Sequence, residues 1–331
     1  MKDISRIGYN IGTLLSIEDI LRFAKKIEEK KNTDSLWVPE SWGREAFVSL
    51  GALSQVTKRV RLGTAIISIH SRTPATVAMG ISTLDILSNN RSVLGLGVST
   101  PALVEKWHGI RFENPLQKLS EYIQCIKLVM KGSKVNFNGK YYKINDFKIL
   151  FKPPRDDLPL YTAAINKKML DLSCELANGV LLYLRPKHEL PKAVEYIKNR
   201  LKNKNNKKFE ICCAFITAVS DKDPELARLR AAKTLAFYVA IGKYYNRFLR
   251  ENGFEIEVEN ITKEYNMNGL TNVHNFISDK MLTSLTISGT RDECIKSLGE
   301  FNESGITLPI IQINPVGNNS ENSIRELIST F

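Results

Sequence analysis

The pattern that decides the fold lies in residues 60–98, which read VRLGTAIISIHSRTPATVAMGISTLDILSNNRSVLGLGV. Val60–Ile67 and Ser92–Val98 are short runs of apolar and β-branched residues, as expected of strands buried on both faces. Between them, Thr73–Ser88 has a helical period and a recognisable helix start. A strand, a helix and a second strand in this order predict one unit of a parallel β/α sheet.

The same alternation runs along the whole chain. Strands are predicted at Arg6–Ile11, Ser35–Glu40, Val60–Ile67, Ser92–Val98, Leu158–Ile165, Gly179–Leu184, Phe209–Ser220 and Leu308–Asn314. Helices are predicted at Ile17–Lys30, Glu45–Thr57, Thr73–Ser88, Leu116–Lys131, Lys167–Ala177, Glu189–Lys202, Glu225–Arg250, Asp292–Glu303 and Ser320–Ser329. This α/β pattern predicts a (β/α)8 TIM barrel in one domain over residues 1–331. The alternative, a doubly wound open sheet, more commonly has about five to seven strands.

Two segments interrupt the alternation. Ser133–Pro154 has short alternating runs around Asn138-Gly139, which predicts a hairpin excursion after the fourth helix. Asn252–Thr290 delays the eighth unit and is helical in places, at Asn272–Ile277 and Ser278–Leu285. Long excursions of this kind are candidates for walls or lids over a barrel mouth.

Composition narrows the class of protein. The 331 residues are 43% apolar and 25% charged, as in a globular enzyme. Five cysteines without a CxxC pair, and the lack of HExxH or similar spacing, argue against a disulfide framework or a metal site. No signal-like start or membrane-length apolar run is present, which predicts a cytoplasmic protein without a membrane span.

The net charge of +12 is compatible with nucleic acid, an anionic membrane surface or an anionic small ligand. The densest basic run, Lys198–Lys208, is interleaved with asparagine and lacks the aromatic residues that stack on bases. A solvated helix end explains this run better than a nucleic-acid site, so no nucleic-acid partner is predicted.

Barrel active sites lie at the carboxyl ends of the strands, so the candidate catalytic residues are sought there. Glu40 ends the second strand, where burial could raise its pKa for proton transfer; the alternative is a charge at the start of the next helix. His70 follows the third strand as a candidate acid or base, or as a structural histidine. Asn10, at the end of the first strand, and Trp42 are candidates to face a substrate.

Two further strand ends suggest ligand contacts. Gly95-Leu96-Gly97 lacks the third glycine of a dinucleotide fingerprint and indicates close approach of either a ligand or another strand. Asn166-Lys167-Lys168 opens a helix directly after the fifth strand. Free N–H groups, the helix dipole and two ammonium groups there favour phosphate binding.

At these positions the chain resembles the luciferase-like monooxygenase superfamily, most closely its coenzyme F420-dependent branch, which includes methylenetetrahydromethanopterin reductases. The resemblance covers most of the chain, and its pieces are specific in their order and spacing. They are Trp37–Arg44, Val60–Ile66, Ser71–Ala75, Thr83–Asp85, Leu94–Gly97, Leu160–Ala164, Lys168–Leu170, Ala177–Val180 and Ser288–Thr290.

The resemblance implies a barrel mouth that holds a deazaflavin or flavin, with a bulge and a non-proline cis peptide at Ala65–Ile66 behind the ring. It also implies that the protein binds a small-molecule substrate and is a homodimer. The implied cofactor-binding residues are Glu40, Ala65, Ile66, Ile67, Gly97, Val98, Ser99, Thr100, Ala163, Ala164, Ile165, Asn166, Lys167 and Lys168.

The sequence also departs from its relatives. Tyr9-Asn10 stands where the methanopterin reductases carry a glutamate, and Ser41 stands where the sugar-phosphate and alcohol dehydrogenases carry a histidine. The leading hypothesis is hydride transfer between coenzyme F420 and a small organic substrate, with Glu40 handling protons. The alternatives are an FMN-dependent monooxygenase and a flavin-binding barrel without catalysis.

Overall fold

The computed structural model describes residues 6–202 and 208–331. Residues 1–5 and 203–207, the latter within the basic run Lys198–Lys208, lie outside the described part. The strands are β1 (Ile7–Asn10), β2 (Thr33–Val38), β3 (Arg61–Thr64), β4 (Ile67–Ser68), β5 (Ser92–Gly97), β6 (Val135–Asn138), β7 (Lys143–Phe147), β8 (Leu160–Ala163), β9 (Gly179–Tyr183), β10 (Glu210–Val219), β11 (Thr286–Gly289) and β12 (Leu308–Ile313).

The helices alternate with the strands, and most of them match the predicted segments. They are α1 (Ile17–Glu28), α2 (Ala46–Val56), α3 (Pro74–Leu87), α4 (Pro101–Trp107), α5 (Pro115–Met130), α6 (Lys167–Leu176), α7 (Leu190–Leu201), α8 (Pro224–Ile241), α9 (Lys243–Glu251), α10 (Glu255–Asn268), α11 (Asp279–Leu285), α12 (Arg291–Asn302) and α13 (Ser320–Thr330), with a 3-10 helix at Val273–Phe276. In the described part, no helix is long and apolar enough to cross a membrane.

The described residues form two compact units. The second unit contains residues 24–181, and its strands β2, β3, β5 and β8 pair in parallel in that order. Ser35 is in register with Arg61, and Leu94 with Leu160. The strand interiors are apolar, and Leu36 and Trp37 of β2 are fully buried. Burial on both faces explains why these strands lack polar alternation.

The first unit contains residues 6–23, 182–202 and 210–331 of the described chain. Its strands β11, β10, β12 and β1 pair in parallel in that order. Cys212 of β10 is in register with Leu308 of β12, and Gly8 of β1 with Ile310. All eight predicted strands are present, so the prediction of a (β/α)8 barrel fold is confirmed. One domain over residues 1–331 stays a prediction.

The two excursions differ in how well they were predicted. The hairpin is confirmed, because β6 and β7 pair antiparallel. The second excursion, Asn252–Thr290, is helical at both predicted places, in the 3-10 helix and in α11, but it also contains α10 and β11, which were not predicted.

The helix before this excursion differs from its prediction. The single helix predicted at Glu225–Arg250 is wrong, since the chain breaks at Gly242 into α8 and α9. A Cβ at residue 242 would lie 2.5 Å from the Tyr238 carbonyl oxygen and 2.8 Å from the Tyr245 ring. The break therefore depends on glycine, and it allows Tyr245 to approach the end of α8.

Candidate active site

The end of the third strand has the bulge that the resemblance implies. The peptide bond Ala65–Ile66 is cis and separates β3 from β4. Both strands pair with β5, with Gly63 opposite Val93 and Ile67 opposite Leu96. Four residue steps on one strand thus face three on the other, which defines a β-bulge. The predicted cis bond at Ala65–Ile66 is confirmed.

Three other predicted cofactor residues surround this bulge. The Glu40 backbone N–H donates to the Ile66 carbonyl oxygen at 3.3 Å. A Cβ at Gly97 would lie 2.8 Å from Ile66 Cδ1 and 3.4 Å from the Ala163 Cβ. The second unit therefore brings Glu40, Ile66, Gly97 and Ala163 together, although they come from four separate strand ends.

The two glycines of β5 have different surroundings. A Cβ at Gly95 would lie 2.0 Å from the Thr64 carbonyl oxygen, and the Thr64 hydroxyl both donates to the Gly95 carbonyl and accepts its N–H at 2.8 Å. Gly95 thus allows two strands to pack closely. Of the two explanations that the sequence allows, a ligand or another strand, the second applies to Gly95. Gly97 instead leaves room for the Ile66 side chain at the bulge.

Glu40 is held by a guanidinium group. Arg72 Nη1 donates to Glu40 Oε1 at 2.6 Å, and Nη2 donates to Oε2 at 2.8 Å. The Ala46 N–H donates to Oε2 at 3.0 Å. Arg72 Nη2 also pairs with Glu45, whose Oε2 caps α2 by accepting the Val48 N–H at 2.6 Å. Glu40 therefore links the end of β2 to the loop after β4 and to the start of α2.

This arrangement reverses the expected direction of the Glu40 pKa. Burial alone would raise the pKa, but hydrogen bonds from Arg72, the Ala46 N–H and Ser71 favour the ionised carboxylate and outweigh it. The pKa of Glu40 is therefore below its ordinary value. Glu40 is ionised at neutral pH, where it can accept a proton but has none to donate.

His70 is buried and uncharged. Its side chain is 8% exposed, and Nε2 has no hydrogen-bond partner among residues 6–202 and 208–331. Burial, with smaller contributions from Lys118 and His108, lowers the pKa of His70 to about 4. Its ring lies 5.6 Å from that of Phe112. The imidazole is thus neutral at neutral pH and has one nitrogen available to a ligand.

An aromatic pair is exposed beside the Glu40 loop. The rings of Trp42 and Trp107 meet edge to face with centroids 5.5 Å apart, and both side chains are about half exposed. Trp107 ends α4, a helix that was not predicted from the sequence. Exposed indole rings offer a flat apolar surface with a polar N–H, which suits ring-shaped ligands.

The start of α6 also follows the prediction. Asn166 caps the helix by accepting the Met169 N–H at 3.0 Å, and Lys167 and Lys168 are exposed in the first turn. After β5, Ser99 has a left-handed backbone with φ of 60°, and Thr100 opens α4 without a side-chain capping bond. These residues place backbone and side-chain donors at two strand ends of the second unit.

Asn10 lies in the first unit, at the end of β1. Its side chain is 7% exposed, and Oδ1 has no hydrogen-bond partner in the described part of the chain. Arg72, which binds Glu40, and Glu45, the second carboxylate that Arg72 binds, were not predicted from the sequence. Only the opposite charges of the side chains in the loops after β2 and β4 could have indicated these ion pairs.

A family model described as luciferase-like monooxygenase matches residues 4–308. The chain belongs to the luciferase-like monooxygenase family. It is 29% identical over 313 residues to a 5,10-methylenetetrahydromethanopterin reductase of Archaeoglobus fulgidus, with 92% of each chain covered. It is 28% identical over 304 residues to a putative coenzyme F420-dependent oxidoreductase of Mycobacterium tuberculosis, with 86% of this chain and 87% of the relative covered.

Two solved structures have the same fold as this chain. A coenzyme F420-dependent tetrahydromethanopterin reductase from Methanopyrus kandleri superposes with a TM-score of 0.85 at 22% identity, with 99% of each chain covered. An F420-dependent secondary alcohol dehydrogenase in complex with an F420-acetone adduct gives a TM-score of 0.80 at 19% identity, with 99% and 98% covered. The predicted family is confirmed.

Proposed function

We propose that this protein is a coenzyme F420-dependent oxidoreductase that transfers a hydride between the deazaflavin and a small organic substrate. The observation that carries the proposal is the bulge at Ala65–Ile66, with Glu40 bonded to the Ile66 carbonyl and Gly97 packed against the Ile66 side chain. These contacts fix the position of Ile66, whose apolar side chain would support one face of a flat ring. The named F420-dependent relatives support the choice of cofactor.

The residues of the second unit fit such a cofactor. His70 Nε2 is buried and lacks a partner among the described residues, as expected of a group that meets a bound ligand. The Gly97–Thr100 segment would lie along the cofactor. The α6 N-terminus with Lys167 and Lys168 would hold its phosphate through backbone donors and positive charge. When bound, the deazaflavin supplies the hydride chemistry.

The side chains near the bulge would position the cofactor and control charge. Glu40 is ionised and immobilised by Arg72, so we assign it to fixing the loop behind the ring and to accepting protons. Neutral His70 would donate or accept one hydrogen bond at Nε2. Asn10 stays a candidate for substrate contact. Proximity and orientation are the main sources of rate enhancement in this proposal.

A titration with two cofactors tests the proposal. The three tryptophans are Trp37, Trp42 and Trp107, and only Trp37 is buried, so quenching of intrinsic fluorescence reports on the exposed pair. We expect F420 to bind at micromolar or lower concentration and FMN to bind more weakly. Trp107→Phe should reduce the quenched signal, because it removes one of the two exposed indole rings that report on binding. Binding of FMN but not F420 would favour an FMN-dependent monooxygenase and overturn the proposal.

A turnover assay separates the enzyme from a binding protein. F420-loaded protein that shows no hydride transfer with any substrate of its named relatives would favour a barrel without catalysis. A cytoplasmic location stays a prediction.

We also propose a homodimer through α2 and α3. Val48 on α2 is 75% exposed, and Met79, Ile86 and Leu87 on α3 are exposed apolar side chains. The two helices pack closely, since a Cβ at Gly80 would lie 3.0 Å from the Phe47 ring. A second copy of this chain would cover these apolar groups, as the family resemblance implies.

Light scattering after size-exclusion chromatography tests the dimer. We expect a dimer for the wild-type protein and a monomer for the double variant Val48→Glu, Ile86→Glu. Ile256→Glu changes an equally exposed apolar residue on α10 and should leave the dimer intact. A wild-type monomer at micromolar concentration would contradict the dimer.

A further inference from the structure

Three tyrosines of the first unit form an aromatic cluster. Tyr183 ends β9, Tyr238 lies on α8 and Tyr245 lies on α9. The Tyr183 ring meets those of Tyr238 and Tyr245 edge to face, with centroids 5.2 Å and 5.7 Å apart. The break at Gly242 brings Tyr245 into this cluster. Helices α8 and α9 thus pack directly on the end of β9.

Two amide side chains extend the cluster along neighbouring strand ends. Gln312 of β12 adjoins the Tyr183 and Tyr238 phenols and is in register with Asn10 of β1. The Thr234 hydroxyl on α8 donates to Asn314 Oδ1 at 2.8 Å, which ties this helix to the end of β12. Gln312 therefore stands between the tyrosine cluster and Asn10.

Two polar atoms of this group are buried without hydrogen bonds. Asn10 Oδ1 is one of them, in a side chain more than nine-tenths buried. The Tyr183 hydroxyl is the other; Tyr238 and Gln312 adjoin it, but no described residue makes a hydrogen bond of normal geometry to it. Buried polar groups in native proteins nearly always have a partner. Both atoms lie where a barrel enzyme binds its substrate, at the carboxyl ends of strands.

The cluster carries no formal charge. Burial raises the pKa of Tyr183, Tyr238 and Tyr245, so their phenols stay protonated through neutral pH. Asn10 and Gln312 are amides. A phosphate or carboxylate in contact with these five side chains would lose its hydration, and none of the five carries a positive charge that compensates for this. A flat, uncharged group with hydrogen-bond donors would instead pack on the rings and satisfy the two buried oxygens.

We propose that Tyr183, Tyr238, Tyr245, Gln312 and Asn10 form a substrate-recognition subsite for a flat, uncharged heterocycle that donates hydrogen bonds to Asn10 Oδ1 and the Tyr183 hydroxyl. This inference rests on the proposed function, because it assigns the bound group to the substrate of the oxidoreductase. It selects against sugar phosphates and against small alcohols, although a secondary alcohol dehydrogenase shares the fold.

Binding measurements on the F420-loaded protein test the subsite. The probes are 5,10-methylenetetrahydromethanopterin, whose uncharged pterin group contains a flat pyrimidinone ring with N–H donors, glucose 6-phosphate and acetone. The variants are Asn10→Leu and Tyr183→Phe, each of which removes one of the two buried polar groups. Tyr265→Phe is the control, since Tyr265 is a partly buried tyrosine on α10, packed against the core of the same unit. Asn10→Ser replaces Asn10→Leu if the leucine variant does not fold.

We expect the pterin probe to bind the wild-type protein, as measured by calorimetry. Each test variant should weaken its Kd and raise its KM about ten-fold, or about 1.4 kcal/mol, with kcat changed less. Tyr265→Phe should change neither constant more than about two-fold, and the F420 affinity of all variants should equal that of wild type.

Either of two results would overturn the subsite. One is a wild-type Kd and KM for the pterin probe in both test variants, which would make the two groups structural. The other is failure of the pterin probe to bind, whether or not glucose 6-phosphate or acetone binds. Failure of the proposed function is a separate outcome, recognised by the absence of F420 binding to the wild-type protein.

Discussion

Replacing Arg72 by methionine removes both guanidinium contacts of Glu40 while keeping much of the side-chain volume. In the wild-type protein these contacts are 2.6 Å and 2.8 Å long, and the Arg72 and Glu40 side chains are 19% and 14% exposed. The carboxylate left behind would retain the Ala46 N–H at 3.0 Å. Arg72→Met also removes the contact with Glu45, so the contribution of the Arg72–Glu40 pair is measured in a double-mutant cycle with Glu40→Gln.

The expected loss of unfolding free energy in Arg72→Met is large. Removing one partner of a buried ion pair costs about 3–5 kcal/mol of unfolding free energy. Because Glu40 keeps one backbone donor and some solvent contact, we expect about 2–4 kcal/mol for Arg72→Met. Glu40→Gln leaves Arg72 paired with Glu45 and should cost about 1–2 kcal/mol. The double variant should lose less unfolding free energy than the sum of the two single losses, and this difference, the coupling energy, should be about 1–3 kcal/mol.

The pH dependence provides the sharper test. The pKa of Glu40 in the folded protein lies below its unfolded value of about 4.5, so the folded state binds fewer protons near that pH. The stabilisation is then fully present above the unfolded pKa and is lost as the pH falls through the folded pKa. The coupling between Arg72→Met and Glu40→Gln should be constant from pH 8 to pH 6 and shrink below about pH 4.5.

Urea unfolding of the four proteins at each pH measures this coupling. A matched control is the cycle Arg61→Met with Asp34→Asn, an ion pair of the same unit that lies at the start of β2 and β3. That cycle should leave the F420 affinity unchanged, whereas Arg72→Met should weaken it. A coupling below about 0.5 kcal/mol at pH 7, or one that does not change with pH, would refute the ionised, Arg72-held Glu40.

Three further predictions concern the second unit. Lys167→Ala with Lys168→Ala should weaken F420 binding by about 1–3 kcal/mol, less at high salt, in a fluorescence titration. Gly97→Ala should push Ile66 aside and weaken F420 binding about ten-fold, whereas Gly51→Ala, with open space around its Cβ, should not. The folded pKa of His70 is about 4, so His70→Asn should reduce the loss of unfolding free energy between pH 6.5 and 4.5, measured by urea unfolding.

The strands were predictable because their apolar runs depend on burial alone. Each of the eight predicted segments overlaps an observed strand to within two residues, as β2 and β5 illustrate, whereas β11, which pairs with β10, was not predicted. The third strand is the exception in detail, since the pattern of Val60–Ile67 predicts one strand and the bulge divides it. The cis bond at Ala65–Ile66 came from the family resemblance, because no local propensity favours it.

The insertion after β10 was less predictable. Leu226 to Arg250 has helical composition throughout, so a single glycine in it did not predict an end. The helix ends at Gly242, where a Cβ would collide with both the Tyr238 carbonyl oxygen and the Tyr245 ring, and the Tyr245 ring packs on Tyr183, which is distant in the sequence. The aromatic cluster with Tyr183 was missed for the same reason, since its members are spread over more than sixty residues of the chain.

The protonation states near the bulge limit the chemistry of the second unit. Desolvation of Glu40 was foreseeable from its place at a strand end, but Arg72 reaches it only because β2 and β3 are neighbours. With Glu40 ionised and His70 neutral at neutral pH, neither side chain can act there as a strong proton donor. A hydride transfer that needs no protonation from this side therefore fits the site better than acid catalysis by Glu40. Neutral phenol and amide groups at the strand ends of the first unit suit substrate orientation, where a hydrogen bond rather than a proton is required.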